Sequence, residues 1–144
     1  MSGFRVLAVA AASAACFGVS CVAALAAETS VHSTPARVEA TADATIKKVT
    51  LTPKAAERLG ILVDEVREDP SGRRIVPYAS LFYDLAGKTW VYVSAEPLTF
   101  VRAAVQIDAI KGENVYLKEG PPPGTKVLGA GVAQVFGVEV GVGH

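Results

Sequence analysis

Few side chains in this chain could do chemistry, and their spacing keeps them apart. The two histidines, His32 and His144, stand far from each other, and both cysteines, Cys16 and Cys21, lie near the N-terminus. A transition-metal site needs three or four convergent N, S or O ligands. No such set is spaced along the sequence, and His144, with carboxylates brought to it, is the one metal candidate that can be named. Ser80 and Ser94 offer hydroxyls, but a serine nucleophile needs an oriented base, usually histidine. The acidic pairs Asp64-Glu65 and Glu68-Asp69 raise the two-carboxylate chemistry of glycoside hydrolysis. Neighbours in a strand point to opposite faces, however, and acids in a turn are usually solvated. Gly129-Ala130-Gly131 has part of a phosphate loop without the Lys-Ser/Thr that should follow, so a tight turn is the better account. The sequence predicts no enzyme, no catalytic residue and no cofactor.

Charge adds a further exclusion. Fourteen basic residues balance fourteen acidic ones, and the only basic doublets are Lys47-Lys48 and Arg73-Arg74. A nucleic-acid surface needs clustered Lys and Arg, so no nucleic-acid partner is expected. The aromatic residues Tyr78, Phe82, Tyr83, Trp90, Tyr92, Phe100 and Tyr116 gather on neighbouring predicted strands. Most belong in a core; any left on an edge would mark a protein-contact patch.

The elements that would position these residues begin with a targeting segment over residues 1–27. Arg5 supplies a positive start, Val6 to Ala26 is apolar or small, and Ala24-Leu25-Ala26 precedes Ala27-Glu28 as a small-x-small cleavage pattern. Three fates are compatible with it: cleavage, retention as a membrane anchor, or lipidation at Cys21 after Gly18-Val19-Ser20. All three export the protein to the periplasm or another extracytoplasmic space and allow membrane association through this segment. Residues 28–45, rich in Ala, Thr, Ser and Glu, read as a flexible tether. With both cysteines inside the targeting segment, the rest of the chain must fold without disulfides, and it is long enough for one domain.

That domain is placed at residues 46–136, with a Gly-rich tail over 137–144. Ile46 to Leu51 reads as an edge strand. Thr52 as N-cap, Pro53 at the first helical position and Gly60 at the end define a short helix. Ile61 to Arg67 and Ile75 to Tyr83 come next as strands, the second interrupted by Pro77. Thr89 to Ser94 is apolar on both faces and should be central. Thr99 to Asp108 alternates cleanly, with Val101, Ala103, Val105 and Ile107 inward and Arg102, Gln106 and Asp108 outward. Lys111 to Asn114 turns into Val115 to Lys118. Pro121 to Gly124 is a rigid link to a last strand at Thr125 to Leu128, and Val132 to Phe136 makes a helical turn. The expected fold is mainly β: a small antiparallel β-roll, barrel-like, with one short helix, behind an N-terminal signal helix. Its core should hold Trp90, Tyr92, Val101, Val105 and Ile107.

Two blocks carry a family resemblance. Val49 to Val66, with Leu51-Thr52, Leu59, Gly60 and Ile61, resembles the entry segment of HlyD-like periplasmic adaptors, the membrane fusion proteins of RND-type efflux systems. Arg73 to Ser94, with Val76-Pro77 ahead of a glycine hairpin and Trp90-Val91-Tyr92-Val93, is similar to the start of their membrane-proximal domain. Phe100 to Ile107 and Gly124 to Gly131 match its closing strands. Complete adaptors carry a lipoyl-like domain and a helical hairpin where this chain has only Glu68 to Arg74, and Met1 is its one methionine. The resemblance therefore implies the membrane-proximal module alone. It implies a non-enzymatic accessory subunit of an RND-type efflux system, metal efflux included, docking on a transporter or another adaptor subunit at the outer face of the cytoplasmic membrane. The alternative from the residues is a small exported carrier of a metal or other ligand.

Overall fold

The computed structural model describes residues 34–141. The expected targeting segment, Cys16, Cys21, His32 and His144 lie outside the described residues. No described helix is long and apolar enough to cross a membrane.

Among the described residues eleven strands and two helices succeed one another as β1 (Ala36–Ala40), β2 (Lys47–Leu51), α1 (Pro53–Arg58), β3 (Leu62–Glu65), β4 (Arg67–Glu68), β5 (Arg74–Pro77), β6 (Leu81–Tyr83), β7 (Thr89–Glu96), β8 (Thr99–Ala104), β9 (Gln106–Lys111), β10 (Asn114–Glu119), β11 (Lys126–Ala130) and α2 (Val132–Val140). A 3-10 turn, Tyr78–Ser80, links β5 to β6. The larger, seven-stranded sheet runs β1-β2-β8-β7-β11-β3, with β6 also paired to β7; the smaller runs β4-β5-β10-β9. Every pairing is antiparallel.

The expected roll does not close. Among the described residues the larger sheet ends on β1 and β3 and the smaller on β4 and β9, and the chain twice leaves the larger sheet for the smaller. Pro77, with no N–H to give a ladder, ends β5, and the 3-10 turn carries the chain across to β6. The strand predicted over Thr99 to Asp108 breaks at Val105, whose N–H donates to the Thr89 carbonyl at 3.0 Å. Its two parts, β8 and β9, lie in different sheets.

Each face of the larger sheet has its own core. Between the sheets lie Val66, Val76, Val91, Val105, Val115, Leu117 and Val127. On the opposite face Val49, Leu51, Tyr92, Phe100 and Leu128 pack with Ala55 and Ala56 of α1 and Val132 and Val135 of α2. β7 is covered on both sides, as its apolar run required. Tyr92 and Val105 are buried as expected. Val101 and Ile107 are only half-buried. Trp90 is buried but belongs to neither apolar cluster, because polar side chains enclose it.

Local signals placed α1 correctly. The Ala55 N–H donates to Thr52 Oγ1 at 3.2 Å, and Gly60 takes φ +63° behind the helix. Two other segments differ from expectation. Residues 36–40, placed in the tether, form β1, which pairs with β2 from Ala36 opposite Leu51 to Ala40 opposite Lys47. The returning turn is closed by Thr41 Oγ1, which donates to the Ile46 carbonyl at 2.7 Å. β2 is therefore an interior strand between β1 and β8. Residues 137–140, placed in the tail, are in fact the second half of α2, a second helix where one was expected. A glycine there costs a helix about 1 kcal/mol; apolar burial of Val132 and Val135 along one face offsets it.

Candidate functional site

The densest polar constellation lies under α2. Glu139 sits in the last turn of that helix, where the macrodipole disfavours an anion, and its side chain is wholly buried. Four groups compensate. Arg102, from β8, places Nη2 at 2.8 Å from Glu139 Oε1. Tyr92, from β7, donates its hydroxyl to Glu139 Oε2. From β2, the Lys47 N–H reaches Oε1 at 3.4 Å, and Lys47 Nζ caps the Glu139 carbonyl at 3.1 Å. Arg102 Nη2 also donates to the Thr45 carbonyl at 2.7 Å. One carboxylate thus joins α2, two central strands and the turn after β1.

Trp90 extends the cluster. Its Nε1 donates to Asp84 Oδ2 at 2.9 Å, and its ring lies 5.3 Å from the Arg102 guanidinium and 5.5 Å from Lys88 Nζ. Asp84 Oδ1 accepts the N–H groups of Ala86 and Lys88, both at 2.9 Å, which fixes the β6–β7 turn. The Trp90 N–H is the main influence holding the Asp84 carboxyl below its usual range; burial opposes it, and the backbone donors reinforce it. Burial, and then the Glu139 contact, push the Tyr92 phenol well above its usual range, so it stays protonated as a donor. A carboxylate and a phenol in contact have the makings of proton transfer, but both are sealed from solvent. The cluster is a clasp on α2.

The residues singled out by sequence are scattered or committed to turns. Asp64 and Glu65 stand side by side in β3, with Asp64 Oδ1 accepting the Glu65 N–H at 2.7 Å. Asp69 is held far below the usual carboxylate range, chiefly by the Ser71 hydroxyl and then the Arg73 N–H, while locking the β4–β5 turn. Ser80 is buried with its hydroxyl unpartnered, and Ser94 donates to the Glu96 carbonyl at 3.1 Å. Gly131, at φ +84°, takes the left-handed conformation that favours glycine, as a tight turn requires. Among the described residues no three His, Cys, Asp or Glu side chains group as metal ligands.

The solvent-facing residues are suited to contact. Tyr78 and Tyr83 are about half exposed, Leu85 stands clear of the protein at the tip of the β6–β7 turn, and Leu62 and Val63 are exposed on β3. An open cleft of about 650 Å³ beside that turn is lined by Lys88, Thr89, Gln106, Ile107 and Glu119. Its two far residues bind each other, Gln106 Nε2 donating to Glu119 Oε2 at 2.7 Å. Sequence reasoning misses Glu139, Lys47 and the role of Arg102, which the alternation of its strand assigns to a solvent face. The signal for Glu139 is the spacing Val132, Val135, Phe136, Glu139, one face of a helix running through Gly137.

Comparison with protein-family models, with characterised proteins and with solved structures finds no match to this chain.

Proposed function

We propose that this chain is an exported, non-catalytic docking module that serves an RND-type efflux system at the outer face of the cytoplasmic membrane, in the manner of an adaptor's membrane-proximal domain. The observation that supports this reading most is the interleaving of the chain on either side of the Asp69–Gly72 turn. β2 pairs with β8, β3 with β11 and β4 with β5, so the two halves share both sheets. An adaptor interrupted at that turn by further domains would need the same interleaving to hold its base. The enclosed polar cluster and the exposed Tyr78, Tyr83 and Leu85 fit contact better than chemistry.

Site-specific photocrosslinking in intact cells tests it. A photoreactive residue at Tyr78, Tyr83 or Leu85 of the full chain should capture a cytoplasmic-membrane transporter or an adaptor subunit, and one at buried Val127 should not. Capture of soluble proteins only, or the same products from Val127, would reject the reading.

A further inference from the structure

We infer that β1 is a self-complementary edge through which two copies of this chain pair about a two-fold axis centred on Val38. The strand is Ala36-Arg37-Val38-Glu39-Ala40, and no described strand pairs with its outer edge. Laid antiparallel on a second copy with Val38 opposite Val38, it sets Arg37 opposite Glu39 twice and Ala36 opposite Ala40 twice. Under that two-fold the strand is self-complementary in charge.

The backbone is set for that register. On the inner side the Thr52 N–H donates to the Pro35 carbonyl and the Thr41 N–H to the Ile46 carbonyl. An antiparallel ladder alternates, so Arg37 and Glu39 turn their backbone groups toward β2, and Ala36, Val38 and Ala40 turn theirs outward. A two-fold axis at Val38 makes those three residues the hydrogen-bonded positions, with about six new backbone bonds between copies. Arg37 and Glu39 then occupy the other positions, where facing side chains approach most closely.

The faces agree as well. Val38 lies opposite Val49, in the core under α2, so Ala36, Val38 and Ala40 share that face. Val38 is 39% exposed and would bury against its own symmetry mate. Arg37 and Glu39 share the other face, where Arg37 Nε now lies 2.9 Å from Glu39 Oε1 and Lys48 Nζ 2.9 Å from Glu39 Oε2. Charges on an edge strand ordinarily keep other strands away. Here the two signs are placed so that each meets its opposite in a second copy and in no shifted register. The other end of the sheet lacks this property. β3 carries Asp64 and Glu65 without a cation, and Asp64 Oδ1 already takes a backbone N–H.

Charge reversal in the full chain tests the pairing, read by sedimentation equilibrium in detergent. Arg37→Glu and Glu39→Arg should each weaken dimerisation by about tenfold or more, since each sets like charges opposite one another twice. The swapped double variant Arg37→Glu/Glu39→Arg should return to within about threefold, because opposite charges again face each other twice. That rescue also excludes misfolding as the cause of the single losses. In a Cys16→Ser/Cys21→Ser background, Val38→Cys should oxidise to a covalent dimer. Ala36→Cys should not, because its two copies lie roughly 13 Å apart along the strands. A full chain still monomeric at about 100 µM, where even a small interface associates, would overturn the inference. So would association that ignores the single reversals, or a Val38→Cys cross-link that forms only with Val63→Cys, which would place β3 of the neighbour on this edge.

Discussion

On one face of the larger sheet Val91 and Val127 meet Val76, Val115 and Leu117 of the smaller sheet, and no charged residue is buried among them. On the other face Tyr92, Phe100 and Val49 meet α2, and Glu139 is buried with them. The first closure is sheet on sheet, made by valines and Leu117, whose alternation needs no polar partner. The second is helix on sheet, and it depends on an ion pair that must be complete to be tolerated. Packing errors should therefore act locally on the first face, whereas one missing donor should loosen the whole of the second.

The largest effect should come from Arg102→Met. It leaves the Glu139 carboxylate buried without its cation, a loss of about 3–5 kcal/mol in unfolding free energy by urea titration. The double variant Arg102→Met/Glu139→Leu should recover most of that loss, since an apolar pair of similar volume often replaces a buried ion pair at little net cost. A double variant as unstable as the single would show that Arg102 matters for packing and not for charge. On the first face Leu117→Ala, at a residue 3% exposed, should cost about 2–5 kcal/mol with no charged partner able to rescue it.

That contrast also explains what the sequence disclosed. β7 was legible because Trp90-Val91-Tyr92-Val93 is apolar on both faces, and α1 because Thr52, Pro53 and Gly60 mark its ends. The glycines at φ +82°, +76° and +59°, Gly72, Gly87 and Gly112, likewise fell in the turns where they were expected. The change of sheet at Val105 left no mark, because the inward alternation continues through it while the pairing partner changes. β1 was illegible for a related reason: an edge strand has one neighbour and half-exposed faces, so composition alone reads as tether. The clasp was hidden by distance, since Lys47 and Glu139 stand 92 residues apart. A lone glutamate in a glycine-rich segment gives no hint that an arginine on a distant strand awaits it.

A third, smaller effect separates the hydroxyl from the ring at Tyr92. Tyr92→Phe keeps the stack with Phe82, whose centroid is 4.7 Å away, and removes one donor to a buried carboxylate, about 1.5–3 kcal/mol. The pH dependence has a definite sign. Folding raises the Tyr92 pKa, so its contribution is fully present below the unfolded value near 10 and is lost as pH rises beyond it. There the unfolded chain holds one proton fewer at this site, and stability should fall by about 1.4 kcal/mol per pH unit. Denaturation midpoints for the native chain should drop above about pH 10 more steeply than those of Tyr92→Phe. Equal alkaline slopes would mean that the phenol is not held protonated by the fold.

The smallest effect should be a gain, at the solvent end of the same helix. α2 carries no basic residue in its last turn, and Val140 there is 46% exposed. A cation at that end faces the negative end of the helix dipole and the neighbouring Glu139. Val140→Lys should therefore stabilise the fold by about 0.3–1 kcal/mol at low ionic strength. In about 1 M salt the Debye length falls to about 3 Å, and the gain should vanish. The Arg102→Met loss should persist there, because its charges are out of reach of the counterions. If salt erased both effects alike, Glu139 would be solvent-accessible, and the distinction drawn between the two faces would fail.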